Sequence, residues 1–208
     1  MCYYYQNTVS DKELEKTFKS LIKNNNLFEK GNYNGFSHPY TAVILDSQPK
    51  EISAAQWGLL PSWVESEKEF RKKTNLLNAK IETVEKLRSF KNSVEKRCLV
   101  LATSFNEWKH LENGKIKVKH KIFVPGNKPF AMAGLYSEFE DKITFTILTT
   151  EANELMATIH NSKKRMPVIL RREEEKLWLG GEKLEIYHNR KEVELIAQPL
   201  DDMPLELF

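Results

Sequence analysis

The sequence predicts an α+β protein: a largely antiparallel, barrel-like β-sheet with flanking helices, forming a single domain over residues 1–208. Three observations carry that expectation. Strand-like apolar runs outnumber helical ones, most neighbouring runs are separated only by short turn signals, and no linker, repeat or low-complexity tract divides the chain.

The elements follow in order. Ser10 with Glu13 three residues later reads as a capping box, and Leu14, Phe18, Leu21 and Ile22 recur at helical spacing until the asparagine run at 24–26, which predicts a helix over 10–23. YTAVIL (40–45) and ISAAQWGLL (52–60) read as strands bracketing a turn at Gln48-Pro49, and RCLVLATSF (97–105) as a buried strand. From 115 to 122 lysine alternates with Ile116, Val118, His120 and Ile122, the period of a half-buried strand, just after a hairpin signal at Asn113-Gly114. FAMAGLY (130–136) and KITFTILTT (142–150) predict a hairpin around Glu140-Asp141, followed by a helix over 151–159. Pro167 bars RMPVIL (165–170) from a helix interior, and EEEKLWLGG (173–181) reads as a short helix closed by glycines.

Composition narrows the class. Hydrophobic residues at 40% suffice for a packed core, and no apolar run approaches the roughly 18 residues of a membrane span, so a cytoplasmic, membrane-free protein is expected; it is read, separately from composition, as a monomer. Cys2 and Cys98 are too few and too far apart for a disulfide framework or a zinc spacing, so any thiol chemistry rests on one residue, and Cys98 reads as a core thiol. Net charge is only +3, yet the positive residues cluster in KEFRKK (68–73), KIKVKHK (115–121), KKR (163–165) and RR (171–172). Such patches either hold phosphates or are solvated faces balanced by nearby glutamates.

Cys2 raises a chemical possibility. Once Met1 is removed, one residue presents an amine and a thiol with reference pKa values of about 8 and about 8.5, so both reactive forms are available near neutrality. An aldehyde can form an imine with the amine, and the thiol can then close a five-membered thiazolidine ring. Taken alone, a cysteine at this position fills a core at least as readily.

Six ordered stretches bear on that choice: WGLLPSW (57–63), NAKIETV (78–84), RCLVLATSFNEW (97–108), FAMAGLY (130–136), ILTTEAN (147–153), and Ile159-His160 followed by RMPVIL (165–170). With the leading Met-Cys they closely resemble the SRAP family, the SOS response-associated peptidase domain, over most of the chain. The resemblance implies a protein that recognises abasic sites in single-stranded DNA and crosslinks to them as a thiazolidine through Cys2, in a DNA damage response and associated with the nucleoid when bound. It implies no metal and no organic cofactor. The rivals are a cysteine peptidase with Cys2 as nucleophile and His160 as base, and a non-covalent reader of single-stranded or modified DNA.

By the same resemblance the functional set falls on Cys2, Asn78, Glu107 and His160. Glu107 suits a proton shuttle for imine formation, its carboxyl raised in pKa beside Trp108; alone it would read as a surface ion pair. His160 can act on the sugar or a phosphate, and otherwise caps a helix. Asn78 would orient the amine or a sugar hydroxyl, and otherwise marks a turn. For DNA, Lys80, Arg165, Lys163 and Lys164 suit phosphates, Trp63 a stacked base and Pro39 a wedge. Three departures from the family pattern matter. Lys80 stands where the family has arginine, His160 lies five residues before Arg165 instead of two, and Asn106 occupies a position where an aromatic is common.

Overall fold

A computed structural model describes residues 2–23 and 28–200. Met1 and the asparagines at 24–26, and with them the expectation that this run stops the first helix, lie outside the described residues. The first half of the chain runs through β1 (Tyr4–Asn7), α1 (Asp11–Phe18), β2 (Leu21–Ile22), β3 (Gly31–Asn34), β4 (Tyr40–Leu45), β5 (Glu51–Trp57), α2 (Glu67–Lys73) and β6 (Asn78–Lys80). The second half adds β7 (Arg97–Ala102), β8 (Ser104–Leu111), β9 (Ile116–Phe123), β10 (Phe130–Phe139), β11 (Lys142–Glu151), α3 (Glu154–Ile159), β12 (Arg165–Pro167), β13 (Ile169–Leu170), α4 (Arg172–Leu179) and β14 (Ile196–Pro199).

Five strands close into a barrel in the order β5, β4, β7, β10, β11, antiparallel at each step, and β11 then returns to β5 in a short parallel pairing at Thr144–Gln56 and Phe145–Trp57. The closure has a local cause. Gly58 follows with φ +111°, a conformation that disfavours a side chain, and its N–H donates to the Phe145 carbonyl at 2.8 Å. Trp57 stacks on Phe145 and its indole N–H donates to the Leu77 carbonyl at 2.9 Å, so the seam is fixed by a buried ring with a satisfied polar edge.

Barrel strands are buried on both faces, which is why RCLVLA reads as continuous rather than alternating apolar sequence. One face, with Val43, Leu45, Cys98 and Val100, packs with Tyr5, Phe105 and Ile122 of a second sheet ordered β14, β9, β8, β1, β3. The other, with Ala42, Ile44, Leu99 and Leu101, receives Leu14 and Phe18 of α1 and Trp178 of α4. Each such fully buried large side chain stabilises the fold by roughly 1.5–3 kcal/mol. Trp57, Trp178 and Cys98 are core residues, as the sequence suggested.

Four boundaries differ from expectation. The first helix stops at Phe18 because Lys19 adopts a left-handed cap at φ 53°; Leu21 and Ile22 instead pair with Glu51 and Ile52 as a strand. The predicted strand 52–60 ends at Trp57, where Gly58 breaks it. The run 97–105 is two strands: Thr103 leaves β7, its N–H donating to the Gln6 carbonyl at 2.7 Å, and β8 begins in the other sheet. The helix predicted over 151–159 starts at Glu154 under an Asn153 cap, Glu151 still being paired with Arg165 in the barrel.

Candidate active site

The barrel and the second sheet bring four sequence-distant residues together. Cys2 precedes β1 and is fully buried. Asn78 opens β6, which runs parallel to β11 opposite Ile147, and its side-chain N–H donates to the Cys2 carbonyl at 2.8 Å. Asn78 therefore holds the backbone of Cys2, the residue whose amine the sequence expects it to orient. Glu107, buried in β8, reaches His160 with 3.8 Å between Oε1 and Nδ1, and its charge is felt by the Cys2 thiol.

Burial sets the protonation states. It raises the Glu107 carboxyl above its ordinary range, so the acid form persists to higher pH than in an exposed carboxyl. Trp108 is not the cause: residues alternate along β8, so Glu107 faces the core while Trp108 packs on the opposite face against Tyr4. Burial, reinforced by the nearby Glu107 charge, also pushes the Cys2 thiol far above its ordinary range, and its S–H donates to the Tyr4 carbonyl at 3.6 Å. His160 is lowered, mainly by burial. Its Nδ1 lies 2.8 Å from the Arg165 carbonyl, which can only accept, so the proton sits on Nδ1 and Nε2 is the basic nitrogen.

The longer spacing between His160 and Arg165 does not displace the histidine. The loop turns back on itself: Lys164, at φ 50°, donates its N–H to the His160 carbonyl at 2.8 Å and accepts the Ala152 N–H at 3.0 Å. Asn161, which the sequence reading passed over, clips this loop to β8. Its amide donates to the His110 carbonyl at 2.7 Å and accepts the His110 N–H at 3.1 Å, tying the residue after His160 to the strand that carries Glu107. An asparagine in a polar loop gives no sequence signal for that role, because its partner is a backbone 51 positions away.

The residues expected to meet DNA divide into two groups. Lys80, Lys163 and Lys164 are exposed, with Lys80 two residues from Asn78 on the same strand. Trp63 is 41% exposed, its ring held edge-on by Phe70 and covered by the Arg88 guanidinium at 4.7 Å, so it projects as a braced aromatic. Arg88 carried no motif in the sequence. Pro39 is half-buried, its carbonyl accepting the Trp57 N–H at 2.9 Å. Arg165 is already engaged, in a bidentate pair with Glu82 at 3.0 and 2.8 Å and a bond to the Thr149 carbonyl at 2.6 Å. A second network, of Arg71 with His38, Gln56, Glu67 and the Gly58 carbonyl, braces the turn that follows Trp57. No group of three or more metal-binding side chains occurs among the described residues, and no helix there is long and apolar enough to cross a membrane.

Comparison with known proteins follows the same lines. The family model described as SOS response associated peptidase matches residues 1–207. The abasic site processing protein YoaM of Bacillus subtilis is 39% identical over 67% of this chain and 61% of its own length. YoqW of the same organism, also called an abasic site processing protein, is 36% identical over 80% of this chain and 72% of its own. A Bacteroides thetaiotaomicron protein of known crystal structure superposes with a TM-score of 0.82 at 30% identity, covering 97% of this chain and 93% of that one. A Bordetella bronchiseptica protein gives 0.81 at 23% identity over 96% and 100%, a likeness of fold.

Proposed function

The chain belongs to the SOS response-associated peptidase family, and from that footing we propose that it captures abasic sites in single-stranded DNA by closing a thiazolidine on Cys2. The relatives named as abasic site processing proteins supply the aldehyde, since an abasic deoxyribose exposes one when its ring opens. The observation that carries this reading is the gathering of the buried Glu107 carboxyl and His160 at the buried Cys2, whose backbone Asn78 holds.

The steps balance. With Met1 removed, the Cys2 amine adds to the aldehyde carbon, and the resulting carbinolamine loses water as Glu107 gives a proton to the departing hydroxyl. The thiol then adds to the imine carbon while its proton passes to the nitrogen, so the overall change is addition with release of one water. Asn78 holds the Cys2 carbonyl and thereby fixes the direction of its amine. His160, neutral with Nε2 basic, suits the sugar ring oxygen or its hydroxyl. Lys80, Lys163 and Lys164 suit the phosphates, and Trp63 with Pro39 suits an unstacked base beside the gap. Arg165 serves phosphate only by sharing or leaving Glu82.

The peptidase reading fits less well. A cysteine nucleophile acting first needs a depressed thiol pKa, and here burial raises it. The amine-first order needs no thiolate at the outset. Denaturing electrophoresis with a single-stranded oligonucleotide carrying one abasic site tests the proposal: an adduct is expected from the processed protein and none from Cys2→Ala. An adduct of equal yield from Cys2→Ala overturns it, and turnover of peptides by the wild type without any adduct favours the peptidase.

A further inference from the structure

The barrel wall has a gap that the Cys2 site does not use. On the edge of β5 that faces away from β4, β2 pairs only with Glu51 and Ile52, and β11 joins only at Gln56 and Trp57. Ser53, Ala54 and Ala55 therefore have no neighbouring strand on that edge among the described residues. Backbone direction alternates along a strand, and the bonds on either side fix its phase. The Trp57 N–H donates to the Pro39 carbonyl on the β4 side, whereas the Gly58 N–H meets the Phe145 carbonyl and the Ile52 carbonyl accepts the Lys23 N–H on the other. Even-numbered residues thus serve the outer edge, and Ala54 directs both its N–H and its C=O into the gap.

The gap opens into a cavity of about 640 Å³, within the usual range for a small-molecule site. Leu45, Ile52 and Ile143 give it an apolar floor, and Tyr40 and Tyr136 line it with ring surface. Ser53 supplies an independent observation. It lines the same cavity, is only 9% exposed, and its Oγ has no hydrogen-bond partner among the described residues. A buried hydroxyl left unpaired carries a cost that a ligand would relieve. The charged groups at the mouth are mostly committed: Lys142 to Glu67, Glu138 to Lys96 at 3.1 Å and Lys23 to Glu51 at 3.7 Å, which leaves Asp141 without an ion pair among the described residues. Such a rim suits a neutral ligand better than a phosphate. Asn78, which holds Cys2, lies opposite Ile147, four residues along β11 from Ile143, so the cavity is on the order of 13 Å from that site.

We infer that this cavity binds a single nucleobase, free or as its nucleoside. One strand residue with both backbone groups open presents a donor beside an acceptor, and the matching edge is a cyclic amide or an amino group next to a ring nitrogen, which every nucleobase carries on its pairing edge. An extended peptide offers the same groups, but β2 and β11 close the edge on either side of Ser53, Ala54 and Ala55 and leave it no length to pair. The tyrosine rings and aliphatic floor take the faces of a planar ring. The Ser53 hydroxyl bonds a further ring nitrogen or carbonyl, and Asp141 accepts a sugar hydroxyl. None of this depends on the crosslinking reading above.

Backbone amide NMR of the isotope-labelled full chain, titrated in turn with adenosine, guanosine, cytidine and thymidine, tests this. At least one nucleoside is expected to shift the Ala54 and Ile143 amide signals saturably while that of Asn78 stays in place. Ser53→Val, a strand-favouring side chain that fills the floor, is expected to weaken that binding at least tenfold, and Ser53→Ala several-fold, with the abasic adduct forming at the wild-type rate in both. Methylation of the ring nitrogen on the pairing edge of the bound nucleoside is expected to abolish the shifts. Silence at Ala54 with all four nucleosides at millimolar concentration overturns the inference, and so does binding that survives both Ser53→Val and the methylated nucleoside. Shifts at Ala54 from a base-bearing oligonucleotide, with none from the nucleosides, likewise overturn it as a site for a free base. The expected shifts in a protein that forms no abasic adduct uphold the cavity and contradict the crosslinking reading alone.

Discussion

At the scale of single residues, burial decides which groups can move protons. Glu107 keeps its acid form above the ordinary carboxylate range because the low-dielectric core penalises the charge, and that form is lost as pH rises through the raised value. If it delivers the proton to the departing hydroxyl, crosslinking has a descending limb toward high pH that Glu107→Gln lacks. Single-turnover rates with abasic single strand are expected to fall by roughly 10²-fold in that variant, within the usual range for general acid–base catalysis, at unchanged non-covalent affinity. Parallel loss of affinity and rate would mark Glu107 as a structural residue. The sequence led to Cys2, Asn78, Glu107 and His160 because each sits in a short family motif. It could not show that Trp108 turns away from Glu107, since the two faces of a strand separate adjacent residues, nor that the amide of Asn78 meets a carbonyl.

At the scale of elements, His160 caps α3, its N–H donating to the Met156 carbonyl at 2.7 Å, and the loop that follows ties it to β8. The Asn161 amide forms two hydrogen bonds to the backbone of His110, so Asn161→Ala is expected to cost about 1–3 kcal/mol of stability. It is also expected to slow crosslinking at unchanged affinity and to shift the pH profile as His160 moves from Glu107. A loss of stability with the rate and profile intact would make Asn161 a simple loop clip. Local patterning made several elements legible. The β10–β11 hairpin turns at Glu140, in the left-handed conformation, and β9 keeps the alternation read from its lysines. What stayed hidden are β1, β3 and β6, short strands of three or four residues whose pairing depends on distant partners, and α2, whose residues are polar enough that only its Ser66 cap marks it. The overlong first helix has the same origin. Leu21 and Ile22 fit a helical spacing, but the edge of β5 offers them backbone partners that sequence periodicity does not register.

At the scale of the molecule, the barrel and second sheet enclose the site, and a buried charge network holds α4 to them. Burial works against the Glu174 carboxylate, but hydrogen bonds from Arg190 and Arg171 outweigh it and bring the group down to about 2. A depressed folded pKa contributes stability that is complete above the unfolded value of about 4.3 and disappears as pH falls toward 2. Urea melts should therefore show an acid limb across that window that Glu174→Gln lacks, with the variant about 3–5 kcal/mol less stable near neutrality because Arg190 loses its partner. A variant as acid-sensitive as the wild type would contradict the assignment. The central claim concerns the free amine of Cys2, since a preceding residue ties that nitrogen into an amide whose lone pair is delocalised. Intact-mass spectrometry after denaturation, on processed protein and on protein with an uncleaved amino-terminal extension, each incubated with abasic single strand, measures it most directly. The prediction is one adduct at the summed mass less one water for the processed protein, and unmodified mass for the extended one, which still binds the strand. An adduct forming equally fast on the extended protein would contradict the account.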